Sequence, residues 1–284
     1  MADSLGGFAG GTALTTLIHP TAVIHPNARI HTSATIGPYA VIGEKVTIGA
    51  DTSVGAHAVI EGFTTIGDRN RIFPHAAIGL EPQDLKYDGS MSLVEIGNDN
   101  AIRECVTINR PTLLGEVTRI GNHNLLMAYS HVAHNCEIAD RVIIANSVAL
   151  AGHVEIASHA RLSGLVGDNQ FVQNGRYAKG GGMSRIARDV PPETMVEGNP
   201  SRVRSLNQVL LTRSGIAKED DGRVYKELRE AFRLIYRANL TLSEAIVKLE
   251  SMSADTVHVR SLYEVLRASS QDKGRRGPVP GRKK

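Results

Sequence analysis

Two histidines, His131 and His134, lie three residues apart in 129-YSHVAHNC-136, and a third, His153, follows in 149-ALAGHV-154. Neutral imidazoles at close spacing are good zinc ligands. A single imidazole that titrates near neutrality is equally suited to taking a proton from a hydroxyl. Ser130, beside His131, offers a nucleophilic serine as a third chemistry, but no acid is placed in the sequence to complete a triad. His19, His25, His57, His75, His123, His159 and His258 read as surface residues without a role. The residue types alone leave metal binding and base catalysis open.

What decides is the scaffold that carries these side chains. Counting every sixth residue from Ile18 to Leu162 gives 25 positions, of which 23 are aliphatic; Asp84 and Ser90 are the exceptions. Glycine follows the aliphatic at Gly37, Gly43, Gly49 and Gly55, and alanine precedes it by two at Ala34, Ala40, Ala58 and Ala76. A helix needs a period near 3.6, so a period of six excludes one. Short strands bent at small residues fit it, three hexads making a coil of 18 residues that stacks on the last. The expected fold is mainly β, a left-handed parallel β-helix followed by a C-terminal α-helical domain. The handedness comes from the repeat class, since ordinary crossovers are right-handed.

This register orients the histidines. Val132 points inward, so His131 points out and Ser130 fills the inward small-residue slot. One coil on, His153 stacks over Asn135, which brings it close to His134 on an outer edge. The stretch 80-LEPQDLKYDGSMSLV-94 has no hexad character and should loop out, and a second loop is expected near 110-RPTLLGEV-117, with Leu114 keeping the count. Loops on a rigid scaffold often carry function.

The domain plan follows. Residues 1–14 are expected to be a flexible N-terminal segment, 15–200 the β-helix with its insertion near 80–94, 201–270 a helical domain and 271–284 a disordered basic tail. Amphipathic patterns cover 223–238, 241–252 and about 255–269, and Thr241 with Glu244 forms a capping box. The net charge is +3, yet residues 272–284 alone carry six bases and one acid, so the rest of the chain is slightly acidic and nucleic-acid binding is not expected. The N-terminus lacks a basic segment and a long apolar core, and no run of 18 apolar residues occurs. With two well-separated cysteines, Cys105 and Cys136, the expected setting is cytoplasmic and reducing.

Several longer motifs carry a more specific likeness: 83-QDLKY-87, 103-RECVTINR-110, 124-NLLMAYSHVAHNC-136, 149-ALAGHV-154, 189-DVPP-192 and 233-RLIYR-237. Through them the chain, over roughly residues 18–250, resembles the acyl-[acyl-carrier-protein]–UDP-N-acetylglucosamine O-acyltransferases of lipid A synthesis. The resemblance implies a homotrimer with active sites between subunits. It also implies transfer of an R-3-hydroxyacyl group from acyl carrier protein to the sugar 3-hydroxyl of UDP-N-acetylglucosamine. No cofactor or metal is implied, since the phosphopantetheine arrives on the carrier protein. By the same resemblance His134 is the general base and Gly152 the backbone donor to the oxyanion. Asp84, Lys86, His131, His153, Gln170, Asn207 and Arg213 are substrate contacts, and Gly182 ends the acyl groove. Where the family commonly has Asp after the catalytic histidine, this chain has Asn135; Asn109, Asn169 and Ser214 are further departures.

Overall fold

The structure, a computed structural model, describes residues 17–253, 256–272 and 274–281. The expected N-terminal segment, 1–14, lies outside the described residues. From Ile18 to Glu197 the chain winds as a parallel β-helix with three faces. The first face has nine strands starting at Val23–Ile24, the second eight starting at Arg29–Ile30, and the third ten starting at Thr35–Ile36. Strands one coil apart pair in parallel, as in Val23↔Val41 and Ile144↔Leu162. The hexad aliphatics from Ile36 to Leu162 form the core and are almost wholly buried, with Leu114 the exception described below. Each fully buried Ile contributes roughly 1.5–3 kcal/mol through the water it excludes.

Both inserts leave this register intact. Ile78 pairs with Ile108 and Ile108 with Val132, spacings of 30 and 24 residues in place of 18. The first insert therefore adds two hexads and the second one. Leu114, expected to keep the core count, belongs to the second insert and is exposed. The whole-hexad length of the insert made it look like a core position.

The three edges differ. Between the second and third faces, side chains form hydrogen-bonded ladders up the solenoid. Asn70 Oδ1 accepts from the Asn100 N–H, Asn100 Oδ1 from Asn124 and Asn124 Oδ1 from Val142, at 2.7–2.9 Å. A second ladder runs Asp68, Asn98, Asn122, Asp140. Both inserts leave at another edge, between the first and second faces.

Corner positions explain five of the eleven histidines. His57, His75, His123, His153 and His159 all have φ of 57–65°. Histidine is among the residues that tolerate this left-handed conformation best. His258 corrects the surface reading: it lies in a helix, is buried, and its Nδ1 is 2.9 Å from Glu193 Oε1.

The sheet continues to Leu206 through Arg202–Leu206, which turns back antiparallel to Thr194–Glu197. Helices α1 (Gln208–Arg213), α2 (Arg223–Tyr236), α3 (Leu242–Met252) and α4 (Val257–Gln271) follow. The Thr241–Glu244 capping box is present at the start of α3. Ala231, Leu249, Leu262 and Leu266 bury the shared face of α2, α3 and α4. The described part of the tail, residues 274–281, departs from the expected disorder. Asp189 N–H donates to Gly277 O and Asp189 O accepts from Val279 N–H, while Val203 N–H donates to Pro280 O. Val279 is buried, and Arg275 and Arg276 donate to the carbonyls of Phe171 and Ala187. The composition is that of a solvated tail, but these arginines are engaged with backbone.

Candidate active site

A cleft of about 660 Å³ runs along the first face beside the edge that carries the inserts. Outward positions on that face shrink from His131 to Ala149 to Gly167, so the floor is nearly free of side chains until Arg185. His131 and His134 stand at one side, and Gln83, Asp84 and Lys86 of the first insert stand over them.

His134 sits at the bend after the strand His131–Val132 and is almost buried. Its Nδ1 is 2.9 Å from Asn135 Oδ1, and its Nε2 is 3.9 Å from Asp84 Oδ2. The ring lies against the backbone of Gly152: a Cβ built there would sit 2.4 Å from Nε2 and 2.3 Å from Cε1. No side chain larger than hydrogen fits while the imidazole keeps its place. The Gly152 N–H meets no hydrogen-bond acceptor among the described residues, which leaves a backbone donor beside the imidazole.

The inserts hold the acid in place. Asp84 accepts from the Lys86 N–H at 3.0 Å and from Thr112 of the second insert at 3.2 Å. The Lys86 N–H, the Thr112 hydroxyl and His134 keep its carboxyl below the usual range. Ser92 Oγ donates to Pro111 O and Asn109 Nδ2 to Glu81 O, so the two loops brace each other.

The three imidazoles do not meet at one point, and among the described residues no group of three or more His, Cys, Asp or Glu is placed to hold a metal ion. His131 Nδ1 pairs with Thr107 Oγ1 at 2.7 Å. Burial, reinforced by His134, lowers its basicity. His153 stands edge-on to His134 at 5.3 Å between ring centres and stacks on Phe171 at 4.8 Å. Burial likewise lowers the His153 pKa. Ser130 is wholly buried, its hydroxyl without a partner, which removes it as a nucleophile facing the cleft.

The comparisons with known proteins fit this geometry. A family model described as UDP N-acetylglucosamine O-acyltransferase, domain 2, matches residues 189–279, and the bacterial transferase hexapeptide model matches 15–50 and 118–152. Acyl-[acyl-carrier-protein]–UDP-N-acetylglucosamine O-acyltransferase of a Synechocystis strain is 60% identical over 225 residues, 79% of this chain and 80% of that one. The protein of the same name from Gloeothece citriformis is 59% identical over 96% of this chain and 97% of its own. The chain belongs to the acyl-[acyl-carrier-protein]–UDP-N-acetylglucosamine O-acyltransferase family. Among solved structures, the Francisella novicida UDP-N-acetylglucosamine acyltransferase superposes with a TM-score of 0.86 at 36% identity, covering 93% of this chain and 94% of that one.

Of the residues that the O-acyltransferase resemblance singles out, Asp84, Lys86, His131, His134, Gly152 and Gln170 line one cleft. His153 lines a neighbouring hollow on the second-face side with Glu116 and Asn135. Gly182 lies at the opposite edge of the first face, next to exposed Met183. Asn207 and Arg213 do not line the cleft. Asn207 is buried and caps α1, donating to Tyr177 O at 2.9 Å and accepting from the Leu210 N–H. Arg213 is exposed in the last turn of that helix. The sequence reading missed Thr107, Thr112 and Glu116. The 18-residue coil places Glu116 opposite His134, the signal that could have found it.

Proposed function

We propose that this chain transfers an R-3-hydroxyacyl group from the thioester of acyl carrier protein to the 3-hydroxyl of UDP-N-acetylglucosamine, the first step of lipid A synthesis, in the cytoplasm. The observation that carries the mechanism is the His134 imidazole, held against Gly152 with Nε2 toward the cleft. Nε2 takes the proton of the sugar hydroxyl as its oxygen bonds to the thioester carbon. A sugar hydroxyl is far too weak an acid to ionise alone at neutral pH, so this transfer lowers the barrier. The negative charge moves to the carbonyl oxygen, where the Gly152 N–H stabilises it. Collapse breaks the carbon–sulfur bond, and the leaving thiolate takes the proton back from Nε2. Asp84, Lys86, His131 and Gln170 hold the sugar nucleotide, and His153 supports the base from behind.

The chain is expected to work as a homotrimer. Two observations support this: the cleft is open to solvent, and Leu85 at the tip of the first insert is fully exposed. A neighbouring subunit would complete the site. The bare floor at Ala149 and Gly167 suits an extended acyl chain, with Gly182 at its far edge.

The test uses purified protein, UDP-N-acetylglucosamine and 3-hydroxyacyl carrier protein. Acyl transfer should survive EDTA and fall by about 10²–10⁴-fold in His134→Ala, the usual worth of a general base. Full activity in that variant would remove His134 from the chemistry.

A further inference from the structure

We propose that Glu116 is a positioning residue for the His134 base, acting through the side-chain amide of Asn135. The inference rests on the reading of His134 given above. Asn135 bridges two groups: its Nδ2 donates to Glu116 Oε2 at 2.7 Å, and its Oδ1 faces His134 Nδ1 at 2.9 Å. An amide by itself can face either way, donor or acceptor toward the ring. Glu116 removes the choice. A carboxylate only accepts, so the NH2 end of Asn135 must face it and the oxygen must face His134. That oxygen in turn only accepts, so the proton of the neutral imidazole must sit on Nδ1. Nε2 is left with a bare lone pair, the form a base needs.

Without Glu116 the amide can turn over. Its NH2 would then meet Nδ1, the ring proton would move to Nε2, and the cleft would face a donor in place of a base. The same carboxylate favours the imidazolium formed during the reaction, since the Nδ1–H donates into a chain that ends on a negative charge.

The backbone braces this arrangement. The Asn135 N–H donates to Thr118 Oγ1 at 2.9 Å, and the Glu116 carboxylate also accepts from the Leu113 N–H at 3.2 Å. Asn135 holds a φ of 60°, which asparagine tolerates well. Glu116 is the last residue of the second insert, so that loop supplies the relay as well as Thr112 for Asp84. Other charges face the pair and enter any pH profile: Asp84, His131 and His153 around His134, and Arg119, Glu137 and Glu155 around Glu116.

The experiment combines histidine nitrogen NMR on the full-length protein with steady-state kinetics. In the parent protein His134 is expected as the Nδ1–H tautomer. Glu116→Ala should populate the other tautomer and lower kcat by about 10–100-fold, with KM for the sugar nucleotide within about two-fold and the melting temperature nearly unchanged. Glu116→Gln, whose amide can either donate or accept, should fall between. Adding Asn135→Asp to Glu116→Ala puts a carboxylate directly on Nδ1 and should restore most of kcat. A merely structural Glu116 would not be rescued in this way. An unchanged tautomer with unchanged kcat in both Glu116 variants overturns the proposal. The tautomer is read without turnover, so this failure is distinct from the case in which His134→Ala proves active and the base assignment itself falls.

Discussion

Gly152 in the cleft and Gly182 at the opposite edge of the first face lack side chains for opposite reasons. At Gly152 the space is taken by the His134 ring. At Gly182 the backbone is unstrained and the nearest atom to a Cβ, Gly164 O, is 3.5 Å away, so a side chain is sterically welcome and would project outward. Gly182→Met should therefore fold normally and shift acyl preference toward shorter chains, by about tenfold or more in the ratio of kcat/KM values. Competition between carrier proteins of different acyl length reads this directly, and an unchanged ratio would mean the groove ends elsewhere. At this scale the sequence was informative about types and poor about partners. His131, His134 and His153 stood out because a structural repeat does not need them. Glu116 did not, because its role depends on one hydrogen bond across 19 residues to Asn135.

The elements divide the labour by edge. Asparagine and aspartate ladders stiffen the edge between the second and third faces, while the edge that carries His134 spends its polar groups on the cleft. The hexad count was legible because each coil repeats the same demand for an inward aliphatic. It could not reveal that Leu114 leaves the core, since an insert of one hexad preserves the phase. Near the end of the solenoid the pattern itself breaks, with Asp168 and Asn174 inward and buried, joined by an Asn174 Nδ2 to Asp168 Oδ2 bond of 2.6 Å. A free aspartate ionises near pH 4, but burial pushes Asp168 up to about 7. The folded protein thus keeps a proton that the unfolded chain releases. Its stabilising effect is complete below about pH 4 and is lost as pH rises toward 7, at about 1.4 kcal/mol per pH unit from this group. Asp168→Asn should abolish that slope and make the protein the more stable of the two at about pH 8. Urea melts across the pH range check it, and parallel slopes in both proteins would refute it.

At the scale of the whole molecule, the tail links the helical domain back to the last coil. Asp189 is its anchor, taking backbone bonds from the strap, a hydrogen bond of 2.6 Å from Ser269 and an ion pair of 3.4 Å with Arg275. A second tie is the buried Glu193, which pairs with His258 of α4 and lies 3.7 Å from Arg176. Truncation after Asp272 should cost roughly 2–4 kcal/mol, from the lost Val279 burial and the bonds to Asp189. Overlapping urea curves for the two lengths would show the strap to be passive. Helices α2 to α4 were legible from their amphipathic periods and the Thr241 cap. The strap was not, because a basic Pro/Gly-rich composition describes a solvated segment equally well until its arginines are seen bonded to carbonyls.

The pairing beneath both inserts has a consequence beyond this one chain. Ile78 meets Ile108 and Ile108 meets Val132 directly beneath the loops, so the coil closes under each insert whatever that insert contains. A lineage can therefore lengthen, trim or recode these loops and keep every downstream aliphatic facing inward. The edge that carries the cleft is free to acquire new side chains while the solenoid below it inherits an unbroken reading frame of its own.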